Sequence, residues 1–248
     1  MALFSDNSLI GIEDLAGYEG NLLETASIEG IDLTRKLALA KDEVGLEIAS
    51  AMARSGANGD RELKQVVFTP ALRAWYVFHT LAIAYREAYH SQLNERFKGK
   101  WQEYRDLAKW ASQLLFEIGV GMVSDPVPEA SKPSVQAVAG SMDAGSYFVR
   151  VAWVNAAGEE GLPSAPVAVD VAEDETMSVQ VSGLPPNVTG WHLYLGEGPE
   201  DVARQTTAPL DRTAGWVCGG VIATEGASTG NGQEAAYYRQ MPRVFLRG

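Results

Sequence analysis

Residues 124–134, SDPVPEASKPS, divide the chain into two stretches that cannot share one kind of secondary structure. Pro126, Pro128 and Pro133 fall within these eleven residues, and each removes a backbone donor and obstructs a helix. Before this point Pro70 is the only proline, and alanine, leucine and charged residues dominate. From Ser146 onward valine, threonine, glycine and proline replace the helix formers, and the apolar period shifts from 3.6 to 2. The expected class is α+β in two domains. A helical domain spans 1–122, a Pro-rich linker 123–141, an antiparallel β-sandwich 142–225 and a flexible tail 226–248.

Three helical segments stand out in the first half. Over DLTRKLALAKDEVGLEIASAMARS, residues Leu33, Leu37, Ala40, Val44, Ile48 and Met52 recur at three- and four-residue steps. Asp32 supplies an N-cap and Ser55-Gly56 a stop. Thr69-Pro70 then opens a longer helix, with proline at the first helical position, where its missing N–H is harmless. Its stripe is Leu72, Trp75, Tyr76, His79, Ile83, Tyr89, Leu93 and Phe97. Lys98-Gly99-Lys100 reads as a kink or tight turn. A third stripe of Trp101, Tyr104, Leu107, Ala111, Leu114 and Ile118 ends at Gly119 and Gly121. The simplest packing is a helix hairpin with one further helix against it.

In the second half SYFVRVAWVN alternates, with Tyr147, Val149, Val151 and Trp153 as the expected core face. PVAVDV, MSVQVSGL, GWHLYLG and GWVCGGV are further strand candidates separated by turn-rich pieces. Short strands at this spacing with no helix between them point to a sandwich.

Charge narrows the function classes. The net charge is -12, and the closing ten residues alone are basic, with three arginines and no acid. Such a balance argues against a protein that wraps nucleic acid, which needs a basic surface to displace counterions. The start of the chain shows no basic region followed by an apolar run, so no signal peptide is expected. No stretch is apolar for the roughly 18 residues that a membrane span needs.

The candidate chemistry is sparse. Glu87 and His90 match the Glu-x-x-His spacing of carboxylate-bridged bundles, but no second such pair exists, so no metal site is expected. His79 reads as an interface histidine, and His192 as an exposed strand residue. Cys218, the sole cysteine, excludes an intrachain disulfide and reads as a small apolar residue. Glu173-Asp174-Glu175 lacks the spaced oxygens of a calcium loop. Asn187-Val188-Thr189 is a formal glycosylation acceptor read simply as a turn. No catalytic residue, cofactor or metal ligand is assigned, and the chain is expected not to be an enzyme. Aromatic residues, by contrast, are in surplus. Trp75, Phe78, Tyr85, Tyr89, Trp101, Tyr104 and Trp110 exceed what one stripe per helix can bury, so they are candidates for contact with another subunit.

A leading segment, a helix, a Thr-Pro-capped helix carrying Tyr85 and Tyr89, then Phe97, Trp101 and Tyr104 before a close at Gly119, together resemble the head-to-tail connector (adaptor or head-completion) proteins of tailed bacteriophages. The second half resembles the immunoglobulin or fibronectin type III-like domains appended to phage virion proteins. SYFVRVAWVNAAGEEGLPS and LPPNVTGWHLYLG carry that likeness, with Trp191 and Tyr194 in a later strand. The resemblance implies a structural protein of the virion neck, made in the host cytoplasm. It would form a homo-oligomeric, dodecameric ring under the portal protein, extend the DNA channel, and offer a platform to a downstream tail, collar or tail-terminator protein. Genomic DNA would pass without sequence-specific binding, aided by an acidic lumen. No membrane partner is implied. The tail residues Tyr237, Tyr238, Arg239, Met241, Arg243, Phe245 and Arg247 would then dock on the portal, and the sandwich would project outward. The alternatives are another phage structural protein (collar, tail or capsid decoration) and a carbohydrate-binding module stacking sugars on Trp191, Tyr194 and Trp216.

Overall fold

The computed structural model describes residues 1–54, 62–92 and 95–241. The chain divides into two compact units, neither continuous in sequence. One holds Ser8–Val123 together with the chain from Ala235 onward; the other holds Met1–Asn7 and Ser124–Glu234.

The first unit is helical. Two short helices, α1 (Ile12–Tyr18) and α2 (Leu22–Glu29), precede α3 (Leu33–Arg54), α4 (Pro70–Gln92) and α5 (Glu95–Ile118). The short pair lies in what the sequence offered only as a leading segment, because seven or eight residues give too few turns to display a period. The α3 stripe is buried throughout, from Leu33 to Met52, and the Asp32 carboxylate accepts the Arg35 N–H at 3.0 Å, as an N-cap should. The Ser55-Gly56 stop and Leu93 lie outside the described residues.

α4 carries no single stripe. Leu72, Trp75, Tyr76 and Ile83 are buried, but so are Val77, Thr80, Leu81, Ala84 and Ala88, because α2, α3 and α5 all pack against it. A helix covered on most sides loses its amphipathic signature. Lys98-Gly99-Lys100 is no turn; these residues lie inside α5, where glycine is tolerated. The buried line of α5 runs through Phe97, Tyr104, Ala108, Ala111 and Leu115, rotated from the expected stripe, and Ile118 at the helix end is exposed. α5 stops at Gly119, whose φ of +108° favours glycine. Beyond it β1 (Val120–Met122) pairs antiparallel with β10 (Tyr237–Arg239), so part of the expected flexible tail is an ordered strand.

The second unit is a two-sheet β structure. One sheet joins β2 (Ser134–Ala139), β5 (Glu175–Gln180) and β9 (Trp216–Val217). The other orders β4 (Val167–Val171), β3 (Gly145–Asn155), β6 (Val188–Gly196) and β7 (Ala203–Arg204), with β8 (Leu210–Asp211) also on β6. Tyr147, Val149, Val151 and Trp153 of β3 face a core shared with Met177, Val179, Trp191 and Leu193. β2 falls within the stretch read as linker. Its side chains are exposed or half-buried at every position, so it shows no clean alternation to read.

The Pro-rich stretch itself is extended but anchored. Val127 N–H donates to Gln233 Oε1 at 2.6 Å, and Asn187 Nδ2 donates to Asp125 Oδ1 at 2.7 Å and to the Pro126 carbonyl at 2.9 Å. The chain start joins this edge, since Asp6 Oδ1 accepts the Glu129 N–H at 2.8 Å and Leu3 and Phe4 are buried.

Candidate functional site

Within the helical unit the aromatic residues form a ladder between antiparallel α4 and α5. Trp75 meets Phe116 edge-on at 5.8 Å between ring centroids, Tyr85 stacks on Tyr104 at 5.7 Å, and Tyr89 stacks on Trp101 at 5.6 Å. Phe78 lies between Tyr104 and the edge-on ring of Tyr18 from α1. Trp75, Tyr85 and Tyr104 are therefore buried in their own chain, and Phe78, Tyr89 and Trp101 are half-covered by it. These three rings are thus not available for the contact with another subunit expected of them. A hairpin of two long helices has room for a double row of rings, and a per-helix stripe count underestimates it. Of the seven candidates Trp110, 54% exposed, is the one the fold leaves open.

A buried acid pins this ladder. Glu19, which follows α1, accepts from Lys100 Nζ and from the Tyr104 hydroxyl, each at 2.7 Å. Burial pushes its carboxyl pKa up, but the hydrogen bonds from Lys100 and Tyr104 outweigh that and hold it below the ordinary value. Burial and the bond to Glu19 together push the Tyr104 hydroxyl up. Tyr76 donates to the Leu37 carbonyl at 3.0 Å, and burial takes its pKa to about 12.

On another flank α3, α4 and α5 enclose a groove of about 340 Å³. Trp75, Ala82, Ile83 and Ala108 form its floor, Arg86, Arg105 and Lys109 its basic rim, and Glu47 the opposite wall. His79 borders it with Nε2 2.6 Å from Glu43 Oε2, the bland interface role expected of it.

The remaining chemistry candidates resolve into structural roles. Glu87 pairs with Lys36, and His90 lies exposed beside the Tyr89 and Trp101 rings. Among the described residues no group of three or more His, Cys, Asp and Glu side chains is placed to hold a metal. Cys218 is buried next to β9, with its N–H on the Met177 carbonyl. His192 is buried, not exposed as expected. Its Nδ1 lies 2.7 Å from Thr206 Oγ1 and its Nε2 3.6 Å from Glu160, because β7 and the segment after it cover what sequence alternation marked as an outer face. Burial lowers its pKa, with Glu160 opposing and Arg204 reinforcing the shift. Tyr194 donates to the same Glu160 at 2.6 Å. This Glu160 cluster joins groups far apart in sequence, and no local motif marks it.

Trp191 and Tyr194 are almost wholly buried, and Trp191 Nε1 donates to the Asp211 carbonyl, so neither offers a sugar-stacking face. At the tail Met241 is buried, Arg239 pairs with Glu62, and Tyr237 and Tyr238 remain 44% and 53% exposed. Arg243, Phe245 and Arg247 lie outside the described residues. Among the described residues no helix is long and apolar enough to cross a membrane. No protein-family model and no curated protein matches the chain.

Proposed function

We propose that this chain is a structural component of a bacteriophage neck, assembling as a ring beneath the portal, extending the DNA channel and offering a platform to the tail. The observation that carries the reading is the build of the helical unit. A Thr69-Pro70-capped helix lies antiparallel on a second long helix, and a strand from the chain's end returns to the strand that follows it, with Tyr237 and Tyr238 outward. A rigid two-helix body with an exposed aromatic strand suits a part that is gripped by neighbours and performs no turnover. The net charge of -12 fits a conduit past which phosphate must slide without sticking. The sandwich serves as an appended module, and its buried Trp191 and Tyr194 weigh against a carbohydrate-binding reading.

The test is assembly. Full-length protein, alone and mixed with the portal protein of the same particle, is imaged by negative-stain microscopy. Rings with a central channel, coaxial with the portal, support the reading. Monomers that ignore the portal refute it, and binding to the outside of the capsid or tail would reassign the chain to decoration or collar.

A further inference from the structure

The helical unit carries two surfaces that suit each other but lie on opposite flanks of the α4–α5 hairpin. The first is acidic and apolar. Residues 8–34 hold six carboxylates and no lysine or arginine. Four of the six are engaged inside the unit: Asp14 with Arg73, Glu19 with Lys100, Glu29 with Arg96, and Asp32 at its cap. Glu24 has no partner among the described residues. It stands one turn before Ile28, 63% exposed, on the outward side of α2, while Leu23, 49% exposed, lies further around the helix. Two large aliphatic side chains this open on an eight-residue helix are unlike the rest of α2, where Leu22 and Ala26 are buried.

The second surface is the groove between α3, α4 and α5. Its floor is apolar, and Arg86 and Lys109 on its rim have no ion-pair partner among the described residues. Arg105 beside them is bound to Asp106. α4 separates the two surfaces. Phe78 and Tyr85 point to the side of Tyr18, Glu19 and Thr25, while Ala82, Ile83 and Arg86 point into the groove. One molecule therefore cannot bring its own α2 face to its own groove. Two copies can, through a heterologous contact that repeats and closes if the rotation allows.

We propose that the Glu24–Ile28 stripe of one copy seats in the α3–α4–α5 groove of the next. Ile28 covers the apolar floor and Glu24, one turn away, meets Arg86 and Lys109, with Leu23 at the border of the contact. The occupant is a second copy of this chain. Carboxylate faces cation, and apolar side chains face an apolar floor with room for them. The inference rests on the ring reading above and names the surfaces through which neighbours join.

Charge reversal in full-length protein tests it, with association read by sedimentation velocity across concentration. Glu24→Lys alone, and Arg86→Glu with Lys109→Glu, should each weaken association by about tenfold or more, since each sets like charges face to face. All three positions are exposed or on the rim, and unchanged circular dichroism confirms the fold. An equimolar mixture of the two altered proteins should recover association. In an alternating order every junction opposes either native charges or both reversed charges. Ring formation that persists unchanged in Glu24→Lys, or a mixture no better than its parts, overturns the assignment while leaving the ring reading in place. Wild-type protein that stays monomeric, with or without portal, overturns both.

Discussion

Replacing Glu19 by glutamine isolates the contribution of one buried charge to the helical unit. The side chain is 9% exposed, and one of its oxygens accepts from both Lys100 and Tyr104 at 2.7 Å. Glutamine keeps the shape and removes the charge. Lys100 is nearly half exposed, so its share is that of a surface pair, about 0–1 kcal/mol. The Tyr104 bond is buried, and lowering it from a bond with an ionised acceptor to a neutral one costs about 1 kcal/mol. The expected loss is about 1–2 kcal/mol, or about 2–8 °C in Tm for a unit of this size. Because the folded carboxyl sits below its ordinary 4.5, its contribution is complete above that pH. It fades as pH falls from 4.5 through the folded value, where the carboxylate takes up its proton. Urea unfolding followed at 222 nm reports mainly the helices. The gap between wild type and Glu19→Gln should hold from pH 7 down to about 4.5 and close below it. Equal midpoints at pH 7, or a gap that persists undiminished in acid, would refute this account of the Glu19 bonds.

Gly119→Ala should destabilise the helical unit by about 1–3 kcal/mol, since φ is +108° and a Cβ would lie 3.2 Å from the Arg239 carbonyl; thermal melts check it. Met241→Ala should cost about 2–5 kcal/mol by opening a cavity where the side chain is 1% exposed, while Trp110→Ala should stay within about 0.5 kcal/mol of wild type in the same melts. The stability of the sandwich should fall as pH drops below 6.5, because the unfolded histidine protonates more readily than buried His192; His192→Asn should flatten that part of the profile in fluorescence-monitored unfolding. A fragment limited to 142–225 should fold poorly by heteronuclear NMR, lacking β2, the Val127 and Ala130 core contacts and Gln233.

Where one face of an element meets solvent, its residues announced the fold. The α3 stripe and the Tyr147–Trp153 alternation of β3 are buried as read, because α3 has one covered side and one open side and Phe148 and Arg150 on the other face of β3 are only half-buried. Where an element is covered from several directions, or hardly at all, the signal failed. α4 is the first case, with burial at Val77, Leu81 and Ala84 as well as along its stripe; β2 is the second. His192 failed for a related reason, since the cover on its face comes from β7 and Thr206, whose own sequence gives little sign of a strand. The candidate surfaces were less legible still. The aromatic surplus was visible in composition, but its pairing across α4 and α5 depends on the register of two helices. The groove depends on α3 as well, and Leu23 and Ile28 become notable only once α2 exists to expose them.

The path of the chain through its two units imposes an order on synthesis. Leu3 and Phe4 belong to the β unit, yet the Glu129 segment that Asp6 beside them holds is made more than a hundred residues later. The helices follow early, but the strand that covers β1, and Met241 behind it, leave the ribosome only after the whole β unit. Each half therefore closes only after the sequence that interrupts it has been made, and a nascent chain holds the helical unit open until the strand that pairs with β1 is free.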